Sequence, residues 1–180
     1  MDTVIGLGKA GCAIADNFAE YSQYKAYKID IGLPPSANTF SLKEGQNIED
    51  YEKNCPDMAK FFEGVSGDIL FVVGGGGKAS ATSLSLLEYL QHCNISVLYI
   101  KPDTSLLSKN KTLHENATYG ILQQYARSGL LEMLYLVSNT NLENILGDVP
   151  IIGYIDKINE LLVSTVHMIN VFRNSEPVMG

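Results

Sequence analysis

The sequence lacks most of the features that mark membrane, secreted or nucleic-acid-binding proteins. Its 180 residues include no tryptophan, and no run of about 18 apolar residues could form a membrane-spanning helix. The formal net charge is −7, and lysine and arginine form no continuous run. Because a nucleic-acid-binding protein needs a concentrated basic surface, we expect neither a nucleic-acid partner nor a membrane partner.

The cysteines are few, odd in number and widely spaced, at Cys12, Cys55 and Cys93. This pattern predicts neither a disulfide framework nor a zinc site, and it favours reduced thiols. The first residues, MDTVIGLGKAG, lack the basic head and the small-residue cleavage site of a signal peptide. The sequence therefore predicts a cytoplasmic protein.

The chain does contain a regular alternation of apolar runs with helical patterns. The runs are nearly continuous, as expected of strands buried on both faces of a parallel sheet. They are TVIGLG, YKAYKIDI, DILFVV, ISVLYIK and LLEMLYLVS. We expect one α/β domain over residues 1–180, doubly wound and Rossmann-like, with a mostly parallel sheet of about five strands. Residues 32–46 are predicted to be loop, residues 48–64 to be helical, and Phe172 to lie on the apolar face of a C-terminal helix.

The first of two glycine-rich loops follows the first predicted strand and reads GLGKAG, from Gly6 to Gly11. This G-x-G-x-x-G spacing permits a tight turn and the close approach of a phosphate to the N-terminus of the next helix. The predicted phosphate contacts are Gly6, Gly8, Lys9, Gly11 and Cys12. The alternative is that these glycines serve only the packing of the helix against the strand.

The second loop, GGGGKAS, follows the strand DILFVV directly. Glycine loses more conformational freedom on folding than any other residue, so four in succession are costly unless the backbone must approach something closely. The predicted contacts are Gly75, Gly76, Gly77, Lys78 and Ser80. The alternative is a flexible turn, and the spacing does not fit a P-loop. Two such loops at separate strand–helix junctions indicate a ligand with several phosphates.

Asp30 ends the second predicted strand, where a dinucleotide-binding protein places an acidic residue against the ribose hydroxyls. GLGKAG together with Asp30 would therefore also suit an NAD(P)-binding Rossmann protein, such as an oxidoreductase. That alternative does not explain the second glycine loop.

The order of these motifs resembles the nucleotide-binding domain of the tubulin/FtsZ family. VIGLGKAGCAIADNF is similar to the first phosphate loop of that family, and GDILFVVGGGGKASATS stands where the family carries its GGGTGTG signature. KAYKIDI resembles the strand that ends in an Asn-Thr-Asp type motif, with Asp30 at the last position. The stretch from Lys109 to Leu142 is similar to a small-x-x-Gly-Ile helix followed by a strand.

The resemblance implies GTP or GDP as the ligand, Mg²⁺ as a candidate ion, and the chain itself or a tubulin/FtsZ-like polymer as a candidate partner. It also implies that Asp30 contacts the ribose or a magnesium-bound water. The sequence departs from the signature at Lys78, Ala79 and Ala81. The chain ends at Gly180, near where the resemblance places the central helix of the family, so we expect the second, activating domain to be absent.

No residue of the loops is a convincing catalytic base. Asp103 and Glu115 are expected to be solvated surface carboxylates, and His92, His114 and His167 to be surface or structural residues. We therefore expect weak or no GTP hydrolysis by the chain alone. The alternative is an interaction protein that binds or caps a tubulin/FtsZ-like filament without needing a nucleotide.

Overall fold

The computed structural model describes residues 1–146 and 152–175, apart from the side chains of residues 139, 143 and 146. Six strands form one sheet in the order β3-β2-β1-β4-β5-β6, and every neighbouring pair is parallel. The strands are β1 (Thr3–Leu7), β2 (Lys25–Ile31), β3 (Thr39–Leu42), β4 (Asp68–Gly74), β5 (Asn94–Lys101) and β6 (Met133–Ser138). The expected α/β class and parallel sheet are confirmed.

Strand β3 lies inside the segment that the sequence predicted to be loop, so that prediction was wrong there. The strand has four residues, TFSL, and only Leu42 is buried. It pairs with β2 alone, at the edge of the sheet. A short strand with one buried side chain carries almost no periodic apolar signal, and Pro34 and Pro35 just before it indicate a loop.

Helices cover both faces of the sheet. They are α1 (Gly8–Ala19), α2 (Ile48–Lys53), α3 (Ser83–Tyr89), α4 (Lys109–Ser128), α5 (Asn139–Leu146) and α6 (Tyr154–Asn174), with short 3₁₀ turns at Ala79–Thr82 and Thr104–Leu106. The helix predicted over residues 48–64 ends early, at Lys53, and turns follow it. None of the helices in the described ranges is long and apolar enough to cross a membrane.

The core has two layers because successive side chains of a buried strand point to opposite faces. On β4, Phe71 and Val73 pack towards α3 and α4, whereas Leu70 and Val72 pack towards α1 and α6. All four side chains are fully buried. Each central strand therefore contributes to both layers, which is why its sequence is apolar throughout.

Helix α6 packs beside α1, through Leu162, Val163 and Val166. Phe172 was predicted to lie on this apolar face, but 74% of it is exposed, so that prediction was wrong. Near the C-terminal end of α6, His167 shares a 2.7 Å hydrogen bond between its Nδ1 atom and the hydroxyl of Tyr24, which lies just beyond the end of α1. The two helices therefore run in the same direction, and both begin at the carboxyl edge of the strands.

Candidate nucleotide site

The two glycine loops meet where the strand order reverses. Strands β1 and β4 are neighbours, and the last pair between them joins Leu7 to Val73. From β1 the chain continues to β2 on one side, whereas from β4 it continues to β5 on the other. In doubly wound sheets this reversal opens a crevice at the carboxyl ends of the strands, where ligands bind. The sheet topology therefore places both loops at one such crevice.

Helix α1 begins at this crevice with unsatisfied backbone donors. Gly8 is its first residue and has φ +71°, a value that side-chain-bearing residues rarely adopt. Leu7 precedes it and provides no side-chain cap, and the first turn contains no acidic residue. The first four N–H groups of a helix have no partner within the helix, and the aligned peptide dipoles place a partial positive charge there. This end of α1 is therefore suited to an anion.

Gly6 and Gly11 serve a different purpose from Gly8. A Cβ on Gly6 would overlap the carbonyl oxygen of Gly11 and lie 2.9 Å from the Cβ of Ala15. A Cβ on Gly11 would overlap the carbonyl oxygen of Val72 on β4. These two glycines allow α1 to lie directly against the sheet. The packing alternative stated for the first loop thus accounts for both of them.

Within the second loop, the three predicted glycines occupy three different environments. A Cβ on Gly75 would lie 3.0 Å from the Tyr99 Cζ atom and 2.9 Å from the Pro102 Cδ atom. Gly76 has φ +76°, and a Cβ on it would lie 3.0 Å from the Leu107 Cδ1 atom. A Cβ on Gly77, by contrast, would meet nothing closer than the Ser80 Oγ atom at 3.9 Å. Only Gly77 leaves open space that a ligand could fill.

A cavity of about 300 Å³ lies between the loops, within the size range of small-molecule sites. Of the eleven residues predicted to contact nucleotide, seven line it: Gly8, Lys9, Asp30, Gly75, Gly77, Lys78 and Ser80. Gly6, Gly11, Cys12 and Gly76 do not. The lining residues that the sequence reasoning did not name are Leu7, Ala10, Ile31, Gly74 and Ala79. Contact of any of them with a nucleotide stays a prediction.

The charges around the cavity favour an anion. Lys9 and Lys78 line it from opposite loops, and neither forms an ion pair with a carboxylate of the described residues. Asp30 is the one carboxylate in the described lining, and its Oδ1 accepts a 2.8 Å hydrogen bond from the backbone N–H of Ile31. The Ser80 hydroxyl donates to the carbonyl of Gly77, which holds the loop in a turn.

The Cys12 side chain is directed away from the cavity, towards the backbone of β1 and β2. Its Sγ atom lies 3.5 Å from the carbonyl oxygen of Gly6 and 3.6 Å from that of Ile29. Burial, and next the charge of Asp30, raise the pKa of the thiol to about 12. The group is therefore a protonated donor in the packing between α1 and the sheet, and only its backbone N–H remains a candidate contact.

Two buried side chains that the sequence reasoning missed, Tyr99 and Glu115, pack against the second loop beside Gly75. Glu115 was expected on the surface, but it is only 1% exposed, so that prediction was wrong. The Tyr99 hydroxyl, which fills the space beside Gly75, lies 3.4 Å from the Glu115 Oε1 atom and donates to it. Oε2 has no hydrogen-bond partner among the described residues. The sequence of α4 gave no sign that Glu115 is buried, because the residues near it are polar and Asn110 and Asn116 are exposed. Asp103, by contrast, is exposed as expected.

Solved structures confirm the tubulin/FtsZ-like fold. FtsZ from M. jannaschii matches 99% of this chain with a TM-score of 0.73 and 16% sequence identity. CetZ1 from Haloferax volcanii, in a GDP-bound monomer structure, matches 91% with a TM-score of 0.65 and 20% identity. The chain spans 56% of the length of that FtsZ chain and 58% of that CetZ1 chain. No protein-family model matches the sequence, and no curated protein sequence matches it either.

Proposed function

We propose that this tubulin/FtsZ-like chain binds a guanine nucleotide, with the phosphates between the N-terminus of α1 and the loop from Gly75 to Ser80. The observation that carries the proposal is the cavity at the strand-order reversal, which is lined by the N-terminus of α1 and by two lysines that form no ion pair with a described carboxylate. A polyphosphate is the ligand class that best matches backbone donors on two sides together with a net positive lining.

The proposed base preference rests on the fold comparison. CetZ1 was solved with GDP, and its fold covers most of this chain. Asp30, at the end of β2, lies where an acidic side chain accepts hydrogen bonds from ribose hydroxyls in sheets of this topology. We therefore place the sugar beside Asp30 and the phosphates over Gly8 and Gly77.

We further propose that the chain alone hydrolyses the nucleotide slowly or not at all. Phosphoryl transfer needs a positioned water and groups that stabilise the developing charge. Asp30 is the one carboxylate in the described lining, and the proposed place for it is at the sugar rather than at the terminal phosphate.

The first experiment is calorimetric titration of the purified protein with GTP, GDP, ATP and NADH. Selective binding of GTP and GDP is the expected result. Preferential binding of NADH would support the dinucleotide alternative and refute the guanine-nucleotide proposal. If no nucleotide binds, the proposal fails, and co-sedimentation with an assembled FtsZ filament would then test the interaction-protein alternative.

A variant of Gly77 tests the position of the site. Gly77→Leu adds a side chain at the one glycine of the second loop with open space in front of it, so the cavity fills while the fold is left intact. We expect GDP affinity to fall by at least about 100-fold, or about 2.7 kcal/mol. Gly120→Ala is the matched control, because nothing lies within 4 Å of its added Cβ and it is on α4, away from the lining. Unchanged affinity in Gly77→Leu would refute the assignment.

A further inference from the structure

We propose that Lys9 and Lys78, rather than a divalent cation, neutralise the bound phosphates, so that the nucleotide binds without Mg²⁺. The inference rests on the proposed nucleotide site and specifies how that site deals with phosphate charge. It concerns two residues of this chain, one on each glycine loop, and the donor groups around them.

The two lysines stand on opposite sides of the cavity. Lys9 is the second residue of α1, and Lys78 closes the second glycine loop immediately before the 3₁₀ turn at Ala79–Thr82. Both are exposed, and neither is paired with a described carboxylate. Two other lysines do have partners: the Lys28 ammonium lies 2.7 Å from Asp16, and that of Lys101 lies 4.6 Å from the centre of the Tyr119 ring. The ammonium groups at the cavity therefore have no competing partner inside the described chain.

The described lining of the cavity offers Mg²⁺ few protein oxygen ligands. This ion requires octahedral oxygen coordination and is usually held by one or two carboxylates together with substrate phosphates. Asp30 is the one carboxylate in the described lining, its Oδ1 accepts a backbone hydrogen bond, and the proposed site places it at the sugar rather than at the phosphates. No group of three histidine, cysteine, aspartate or glutamate side chains forms a metal site in the parts of the chain that are described. Two ammonium groups would also repel a dication from the same space.

The lysines and the helix supply most of the charge that a diphosphate needs. Two ammonium groups contribute two positive charges, and the N-terminus of α1 adds the equivalent of about half a charge. Lysine binds phosphate as a point charge, and a hydrogen bond to a charged group contributes enough for about a 10- to 100-fold change in affinity. Because both side chains are exposed, their contribution is screened by salt.

The test compares GDP binding in EDTA with GDP binding in excess Mg²⁺, by calorimetry, for the unmodified chain and its variants. We expect the two dissociation constants of the unmodified chain to agree within about threefold. Lys9→Met and Lys78→Met should each weaken binding in EDTA about 10- to 100-fold. Lys78→Arg should retain affinity, and Lys60→Met, an exposed position that does not line the cavity, should change nothing.

The outcomes separate this inference from the function on which it rests. Binding that occurs with Mg²⁺ but disappears in EDTA would overturn the inference and leave the nucleotide site standing. Full affinity in both methionine variants would also overturn it. Absence of GDP binding both in EDTA and in excess Mg²⁺ would overturn the proposed function itself.

Discussion

Replacing Gly11 by alanine is expected to destabilise the protein even though alanine is the better helix former. Gly11 lies within α1, where its hydrogen atom faces the backbone of β4. An added Cβ would overlap the Val72 carbonyl oxygen and lie 3.3 Å from its carbonyl carbon. Strand β4 is paired on both sides and buried, so it cannot move away. Overpacking of this kind costs about 1–3 kcal/mol, and the rigid contact places Gly11 at the upper end.

The helix propensity of alanine offsets about 1 kcal/mol of that cost. The net destabilisation is therefore about 2 kcal/mol, which for a domain of this size lowers the Tm by about 4–8 °C. Urea and thermal unfolding measure it, with Gly77→Ala and Gly120→Ala as matched controls. The Gly77 variant should stay within about 0.5 kcal/mol of the unmodified chain, and the Gly120 variant should gain up to about 1 kcal/mol. Equal or higher stability of Gly11→Ala would refute the packing role.

Two further predictions concern buried titratable groups. Cys12 is 8% exposed and its pKa is raised to about 12 by burial, so it should react with iodoacetamide at neutral pH about a thousandfold more slowly than an ordinary thiol. Mass spectrometry across a urea titration would measure this, and rapid labelling of Cys12 in the native protein would contradict the geometry. Burial, followed by the charge of Glu115, raises the pKa of Tyr99 above its ordinary value of 10.0. The folded state therefore holds that proton more tightly, and its contribution to stability is present below about pH 10 and lost as the pH rises further. Tyr99→Phe should flatten the decline of the free energy of unfolding above pH 10, and an unchanged slope would count against the buried phenol.

The strands were predictable where burial on both faces required continuous apolar sequence. DILFVV became β4 and ISVLYIK became the body of β5 because each central strand has to fill two core layers at once. The end of α4 was also predictable, because a glycine commonly ends a helix in the left-handed conformation. Gly129 does so here, with φ 80°. Edge strand β3 was not predictable, because it buries only Leu42 and its pairing with β2 depends on the backbone rather than on side chains.

The glycines of the two loops show the limit of a motif. The spacing of GLGKAG is the same whether its glycines contact a ligand or a neighbouring strand. Gly6 and Gly11 leave no room for a Cβ where α1 meets the sheet, while Gly8 lines the cavity. The same holds for Glu115, whose polar neighbours along α4 indicated a surface while the fold turned this one position inward.

The sequence by itself determined the α/β class, the central strands and the two loops at the carboxyl edge, because these follow from local composition and periodicity. Only the tertiary structure decided which loop residues share a cavity, which glycines touch backbone, and which acid is buried. Those properties depend on distances between segments far apart in the chain, such as Gly11 and Val72 or Tyr99 and Glu115. No local pattern encodes such a distance. The contact of Gly11 with Val72 arises because the strand order brings β1 beside β4, and that of Tyr99 with Glu115 because α4 packs against β5.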